Sequence, residues 1–166
     1  HGPLKRVKTI EVGNIFPLKD KFSKAFGLTY KDKSGKDRYV IMGCYGIGIS
    51  RAMGAIVEVY NDDKGILWPR PVSPFDAHLV HIEDPGTESW AKEAYQKLTK
   101  AGIEVLWDDH EDVSAGEKFS DADLVGISTR LVVSKKVGRG KVEWKERNKM
   151  KSEIIGFDQV VKRLKI

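Results

Sequence analysis

The residues of the first half best suited to chemistry fall in one string, GCYGIGISR, from Gly43 to Arg51. Glycines at 43, 46 and 48 permit tight backbone turns and let a ligand come close to the main chain. Immediately after them, apolar side chains recur at Ile49, Ala52, Met53, Ile56 and Val57, the spacing of a buried helix stripe. A helix starting there offers unbonded amides and the positive end of its dipole, which suits an anion. Arg51, in its first turn, adds a planar fork able to hold a phosphate through two bonds. The same pattern also serves tight strand-to-helix packing with no ligand at all. GxxxxGK[ST] and GxGxxG are both absent here, so neither the P-loop nor the dinucleotide-binding fingerprint applies.

The second half carries its signal in charge. From Glu104 to Asp123 there are eight acids and one base, and from Arg130 to Lys151 nine bases and two acids. So dense a basic stripe suits a polyanion and a salt-dependent affinity. A lysine-rich edge hairpin would carry the same stripe. The acids are spread over a strand, a loop and a helix without the spacing of a calcium loop, so no metal site is expected. His78 and His81, three apart on a strand, point to opposite faces and do not make a metal pair.

Composition narrows the class. The chain has 166 residues, 40% of them apolar, and a mean hydropathy of −0.39, suited to one soluble domain plus part of another. A single cysteine, Cys44, excludes an internal disulfide framework and fits a reducing cytoplasm. No apolar run approaches a membrane span. Residues 1–73 hold 13 Lys/Arg against 7 Asp/Glu, so the positive excess of +5 sits in the first half.

The elements that must position these residues read as follows. A strand is predicted over Leu4–Val12, a short helix over Lys21–Phe26, and a hairpin of Leu28–Asp32 with Asp37–Gly43 around a turn at Gly35. The strand then runs into the glycine-rich turn and the helix. Residues 61–76 hold three of the six prolines and form a connector, which places the domain boundary near Val72–Phe75. Beyond it, strands at Ala77–Ile82, Ile103–Trp107, Leu131–Ser134, Lys141–Lys145 and Glu153–Ile155 alternate with helices at Thr87–Ala101, Glu117–Gly126 and Phe157–Leu164. Thr87 is the expected cap of the first of these helices. The alternation predicts an α/β layer with a mixed sheet.

The string GCYGIGISR is similar to motif 3 of class II aminoacyl-tRNA synthetases in its prolyl-specific form. EVGNIF (Glu11–Phe16), KFS (Lys21–Ser23), GILWP (Gly65–Pro69) and VSPFDAHLV follow the order of bacterial-type prolyl-tRNA synthetases. DDHEDVSAGEKFSDADLVGISTRLVVSKK resembles the anticodon-domain signature of that family. The resemblance covers essentially the whole chain. It implies residues 1–72 as the C-terminal segment of the class II catalytic domain, part of its antiparallel sheet, and 73–166 as an anticodon-binding domain with a mixed sheet flanked by helices.

By that resemblance Arg51 is the motif 3 arginine that binds the γ-phosphate of ATP, with Gly46 and Gly48 beneath the adenine and prolyl-adenylate. Cys44, Glu11, Gly13 and Asn14 fall on the proline pocket. Asn14 stands where histidine is usual, and Pro17, Lys19 and Asp20 depart from the family's usual turn. For the anticodon, Phe119 offers a stacking face and Asp123 an acceptor for the N–H edge of guanine. Arg130, Lys135 and Lys136 are donors or phosphate contacts. His110 and Ser128 replace a usual arginine and proline. The resemblance further implies ATP with magnesium, proline and tRNA-Pro as ligands of the full-length enzyme, a homodimer, and a cytoplasmic protein. Motifs 1 and 2 and the editing domain fall upstream of His1 in that family, so this fragment is expected to recognise the anticodon and to be inactive alone. Two alternatives stand: a free-standing tRNA- or protein-binding module, and a related threonyl, glycyl or histidyl synthetase, against which Cys44 and EVGNIF speak.

Overall fold

In the computed structural model, residues 2–82 and 84–165 are described. The chain divides into two compact units, His1–Ile56 and Val57–Ile166.

The first unit contains β1 (Gly13–Lys19), α1 (Lys21–Ala25), β2 (Thr29–Lys31), β3 (Asp37–Tyr39), β4 (Met42–Ile47) and most of α2 (Ile49–Val59). β1 pairs antiparallel with β4, and β2 with β3. The strand expected over Leu4–Val12 is not there; residues 2–12 have no regular structure, and the ladder begins at Gly13. Val7 and Ile10, the residues that suggested a strand, are exposed, and residues 2–12 enter no strand ladder. β1 shifts register between Pro17 and Lys19, where Lys19 takes φ 50°. Proline brings no amide to a ladder, and a bulge is where a strand accommodates it. Gly43 and Gly46 lie inside β4, so only Gly48 occupies the expected turn.

The β2–β3 turn is organised by Asp32. Its carboxylate accepts from the Ser34 hydroxyl, the Arg38 guanidinium and the Lys36 amide, which hold it down to about 2. Gly35, at φ 78°, closes the turn as expected. Ser23 is the one buried residue among those described in this unit. Ile15, Tyr45 and Ile47 share one face of the β1–β4 ribbon and are each about three-quarters exposed. Two strands alone cannot bury a face. The α2 stripe is likewise only half covered: Ala52, Ile56 and Val57 are half-buried, Ile49 and Met53 exposed.

The second unit adds β5 (Asn61–Asp62), β6 (Gly65–Ile66), β7 (Ala77–His81), α3 (Glu88–Lys100), β8 (Val105–Asp108), α4 (Ala115–Val125), β9 (Thr129–Val133), β10 (Lys141–Glu146), β11 (Glu153–Gly156) and α5 (Phe157–Leu164). Five strands form one sheet in the order β11-β10-β9-β7-β8. β7 is parallel to β8 and β9, and β10 is antiparallel to β9 and β11, the mixed sheet that the alternation predicted. Leu79, Leu131 and Val133 face α3 and α5, packing on Trp90, Leu98, Phe157 and Val160. Val80 and Val132 face the other way, onto Ala122 and Phe119 of α4. His78 therefore shares the α4 face with Val80, and His81 the opposite one.

Two helix starts differ from expectation. Thr87 precedes α3, but its hydroxyl donates to the Asp84 carbonyl at 2.8 Å instead of accepting from a helix amide. α4 begins two residues earlier than predicted, because Ser114 Oγ accepts from the Glu117 amide at 3.2 Å. Residues 57–72 pack with the second unit rather than ending the first. Trp68 Nε1 donates to the Val125 carbonyl at 3.0 Å, and Gly126 requires glycine twice over. Its φ is 77°, and a Cβ there would lie 2.0 Å from the Ile66 carbonyl oxygen. Among the described residues no helix is long and apolar enough to cross a membrane.

Candidate functional site

Within the first unit, the antiparallel register of β1 and β4 collects the residues of the EVGNIF and GCYGIGISR strings. Asn14 lies opposite Gly46, and Phe16 opposite Cys44, so the Asn14 and Cys44 side chains share a face of the ribbon. The Gly48 amide donates to the Val12 carbonyl at 2.9 Å, extending the pairing to the start of α2. Arg51 then reaches back from that helix: its guanidinium donates to the Glu11 carbonyl at 2.9 Å and lies 3.8 Å from the Glu11 carboxylate. Asn14 Nδ2 donates to the same carboxylate at 2.8 Å. Glu11 thus links Arg51 to Asn14. Arg51 and Cys44 are exposed, and most of the guanidinium donors stay free for an anion. A Cβ on Gly13 would sit 3.0 Å from the Gly46 carbonyl oxygen, which keeps the strands close at this point.

In the second unit, the α4 face of the sheet gathers three of the five residues singled out for RNA. Arg130, on β9, is buried; its guanidinium stacks on Phe119 with Cζ 4.5 Å from the ring centroid. It donates to Asp123 Oδ1 at 3.1 Å and to the Phe119 carbonyl at 3.4 Å, leaving Nε without an acceptor. Burial lowers the Arg130 pKa while the Asp123 carboxylate raises it. Asp123 is therefore a partner of a buried cation, not a free carboxylate on the helix surface. Lys135 and Lys136 are apart from this cluster. They are exposed on the turn after β9, beyond about 10 Å of strand from Arg130.

Sequence reasoning missed two further cations. Arg147 is buried and donates through both terminal nitrogens to the Asp62 carboxylate, at 2.8 and 2.6 Å, and through Nε to the Asp123 carbonyl at 2.8 Å. Hydrogen bonds from Arg147 hold the Asp62 carboxyl far below the usual carboxylate range. The partners are 85 positions apart, so no local pattern could pair them. Lys118 is almost fully buried, donates to the His81 carbonyl at 3.0 Å and to the His110 carbonyl, and lies 3.8 Å from Asp108. Its one signal was a lysine next to Phe119 on a helix with alanines on its inner side.

A cavity of about 690 Å³ lies elsewhere, between the connector at Trp68 and Arg70 and the Trp144 and Arg163 side of the second unit. None of the residues singled out above for binding lines it.

Residues 74–165 match the family described as "Anticodon binding domain", and residues 5–60 match "tRNA synthetase class II core domain (G, H, P, S and T)". A proline–tRNA ligase from Sulfurihydrogenibium sp. is 43% identical over 99% of this chain and 29% of its own length. One from Aquifex aeolicus is 47% identical over 89% of this chain and 26% of its own length. The chain thus spans less than a third of the curated relatives it matches. A crystal structure of prolyl-tRNA synthetase from Cryptosporidium parvum, complexed with L-proline and AMP, shares the fold at 22% identity. Its TM-score is 0.80, over 93% of this chain and 33% of that one. The chain belongs to the anticodon-binding domain family over residues 74–165, and residues 5–60 before it match the class II synthetase core.

Proposed function

We propose that this chain reads the anticodon of a proline tRNA with residues 73–166. Residues 1–72 would supply one wall of the proline and ATP site of a longer proline–tRNA ligase. The observation that carries the RNA reading is the joined cluster of Phe119, Asp123 and Arg130 on one face of the sheet. It combines a stacking ring, an acceptor and a cation, the set that unstacked bases require. The alternative of a free-standing binding module is disfavoured by the Glu11–Arg51 and Glu11–Asn14 contacts, which such a module has no use for.

In the ligase, the proline carboxylate attacks the α-phosphate of ATP, pyrophosphate leaves, and the prolyl group passes to the terminal ribose of tRNA. Arg51 grips the γ-phosphate, Gly46 and Gly48 lie under the adenine, and Glu11, Gly13, Asn14 and Cys44 border the amino acid. Glu11 orients Arg51. ATP enters with magnesium, which none of these residues holds. A homodimer and a cytoplasmic location complete the proposal. The chain alone lacks ligase activity on this reading. In the longer protein, Arg51→Ala lowers proline-dependent ATP–pyrophosphate exchange by about 100-fold. It leaves tRNA affinity unchanged; a defect confined to tRNA would assign Arg51 another role.

The RNA reading is tested on the chain itself. An anticodon stem-loop of tRNA-Pro binds more tightly than a loop whose two guanines are replaced. Lys135→Ala with Lys136→Ala weakens both RNAs alike. It also flattens the salt dependence, by about 0.7 in the log–log slope for each phosphate that is no longer neutralised. Equal affinity of the unaltered chain for the two loops would remove the anticodon assignment.

A further inference from the structure

On β10, Lys145 lies directly opposite Arg130 in the antiparallel register, so its side chain shares the α4 face of the sheet. It is half-buried there and makes no hydrogen bond or ion pair among the described residues. Its surroundings are cationic. Burial, then Arg130, pushes the Lys145 ammonium below its usual value; Asp123 offsets part of this, while Lys64 and Arg147 add to it. Asp123 accepts from Arg130 and Asp62 accepts from Arg147 twice, and neither bonds Lys145; Glu143, on the same face of β10, is likewise not bonded to it. A half-buried ammonium beside three other cations, bonded to none of the carboxylates near it, has a place for an anion that the chain does not fill.

The face is open where the anion would enter. α4 packs on Val80 of β7 and Val132 of β9. On β11, Ile154 lies opposite Glu143 on this same face and is 53% exposed. Strands β10 and β11 are thus accessible beside the Phe119, Asp123 and Arg130 cluster.

We propose that Lys145 is a further RNA-contacting residue, binding a backbone phosphate of the strand whose bases meet Phe119 and Asp123. The inference rests on the anticodon reading. A phosphate fits better than a base edge, because several clustered cations favour a full negative charge over the partial charge of a carbonyl. It also separates the roles on this face, with Phe119 and Asp123 taking bases and Lys145 fixing the strand's path.

The test uses the whole chain with Lys145→Ala and Lys145→Arg, titrated at several salt concentrations with the tRNA-Pro anticodon stem-loop and its guanine-replaced counterpart. Lys145→Ala weakens both RNAs by the same factor, lowers the salt slope by about 0.7, and leaves the preference between them intact. Lys145→Arg keeps both affinity and slope. The thermal midpoint of Lys145→Ala does not fall, since one cation has been withdrawn from among others. An unchanged affinity and slope, with the unaltered chain still preferring the guanine loop, would overturn the proposal and leave the anticodon reading standing. Selective loss of the guanine preference would assign Lys145 to a base edge, against the phosphate. A lowered thermal midpoint would make its role structural. Failure of the unaltered chain to bind either RNA would remove the anticodon reading, and this inference with it.

Discussion

Lys118→Met is expected to cost the second unit about 3–5 kcal/mol of stability, read as a shift of the urea midpoint at unchanged slope. Methionine keeps the volume and the helix propensity, so packing and α4 itself are little disturbed. The variant gives up the charge and its donors. The carbonyls of His81 and His110 and the buried Asp108 carboxylate all face the Lys118 ammonium. Removing it strands two acceptors and leaves a buried anion without its cation, the change that costs most in an interior. Asp108 keeps bonds from the His110 amide and ring at 3.2 and 2.9 Å, which sets the loss at the lower end of the range. The loop from Asp109 to Val113 hangs on the same lysine, so amide exchange there should rise ahead of global unfolding. A loss below about 1 kcal/mol would mean that water satisfies those carbonyls, and that the ammonium is no anchor.

What could be read without coordinates was what depends on neighbours in sequence. The α2 stripe, the Gly35 turn, the strand–helix alternation after residue 76 and the mixed sheet are all written in spacings of two to four residues. The strand over Leu4–Val12 failed because alternation shows a pattern without its partner; the ladder from β4 reaches only Gly13. Thr87 was placed at the right end of α3, but spacing could not show that its hydroxyl is spent on the Asp84 carbonyl. The connector read as a boundary because prolines interrupt its pattern. Its Asp62 nevertheless meets Arg147 across the second unit, and Gly126 admits its backbone at van der Waals distance. Of the residues singled out for binding, Glu11, Asn14 and Arg51 could be named by resemblance, yet the contacts joining them span up to 40 positions. Lys145 gave no signal, being one lysine in a basic stripe until its register with Arg130 was known.

The pair of Asp123 and Arg130 bears on both stability and recognition, and a cycle of variants separates the two. Arg130 is 9% exposed and Asp123 is its ionic partner at 3.1 Å, so Asp123→Ala leaves a buried guanidinium with no bonded carboxylate. That single change is expected to cost about 3 kcal/mol, and Arg130→Met a similar amount by stranding the carboxylate. The double variant, Asp123→Leu with Arg130→Met, removes both charges and fills the space with apolar atoms. It should recover most of the loss, so the two costs are strongly non-additive. Recognition should not recover. The bond to Arg130 uses one of about four lone-pair positions on the carboxylate, leaving acceptor capacity for guanine N1 and N2. Arg130 meanwhile holds that carboxylate and the Phe119 ring in fixed relation. All three variants should therefore lose about 1–3 kcal/mol of preference for the guanine-bearing anticodon loop over its replaced counterpart. Binding of the two stem-loops to each variant, alongside urea unfolding, gives both readouts from one set of proteins. A stable double variant that still prefers the guanine loop would make this ion pair wholly structural, and Asp123 and Arg130 would leave the anticodon site together.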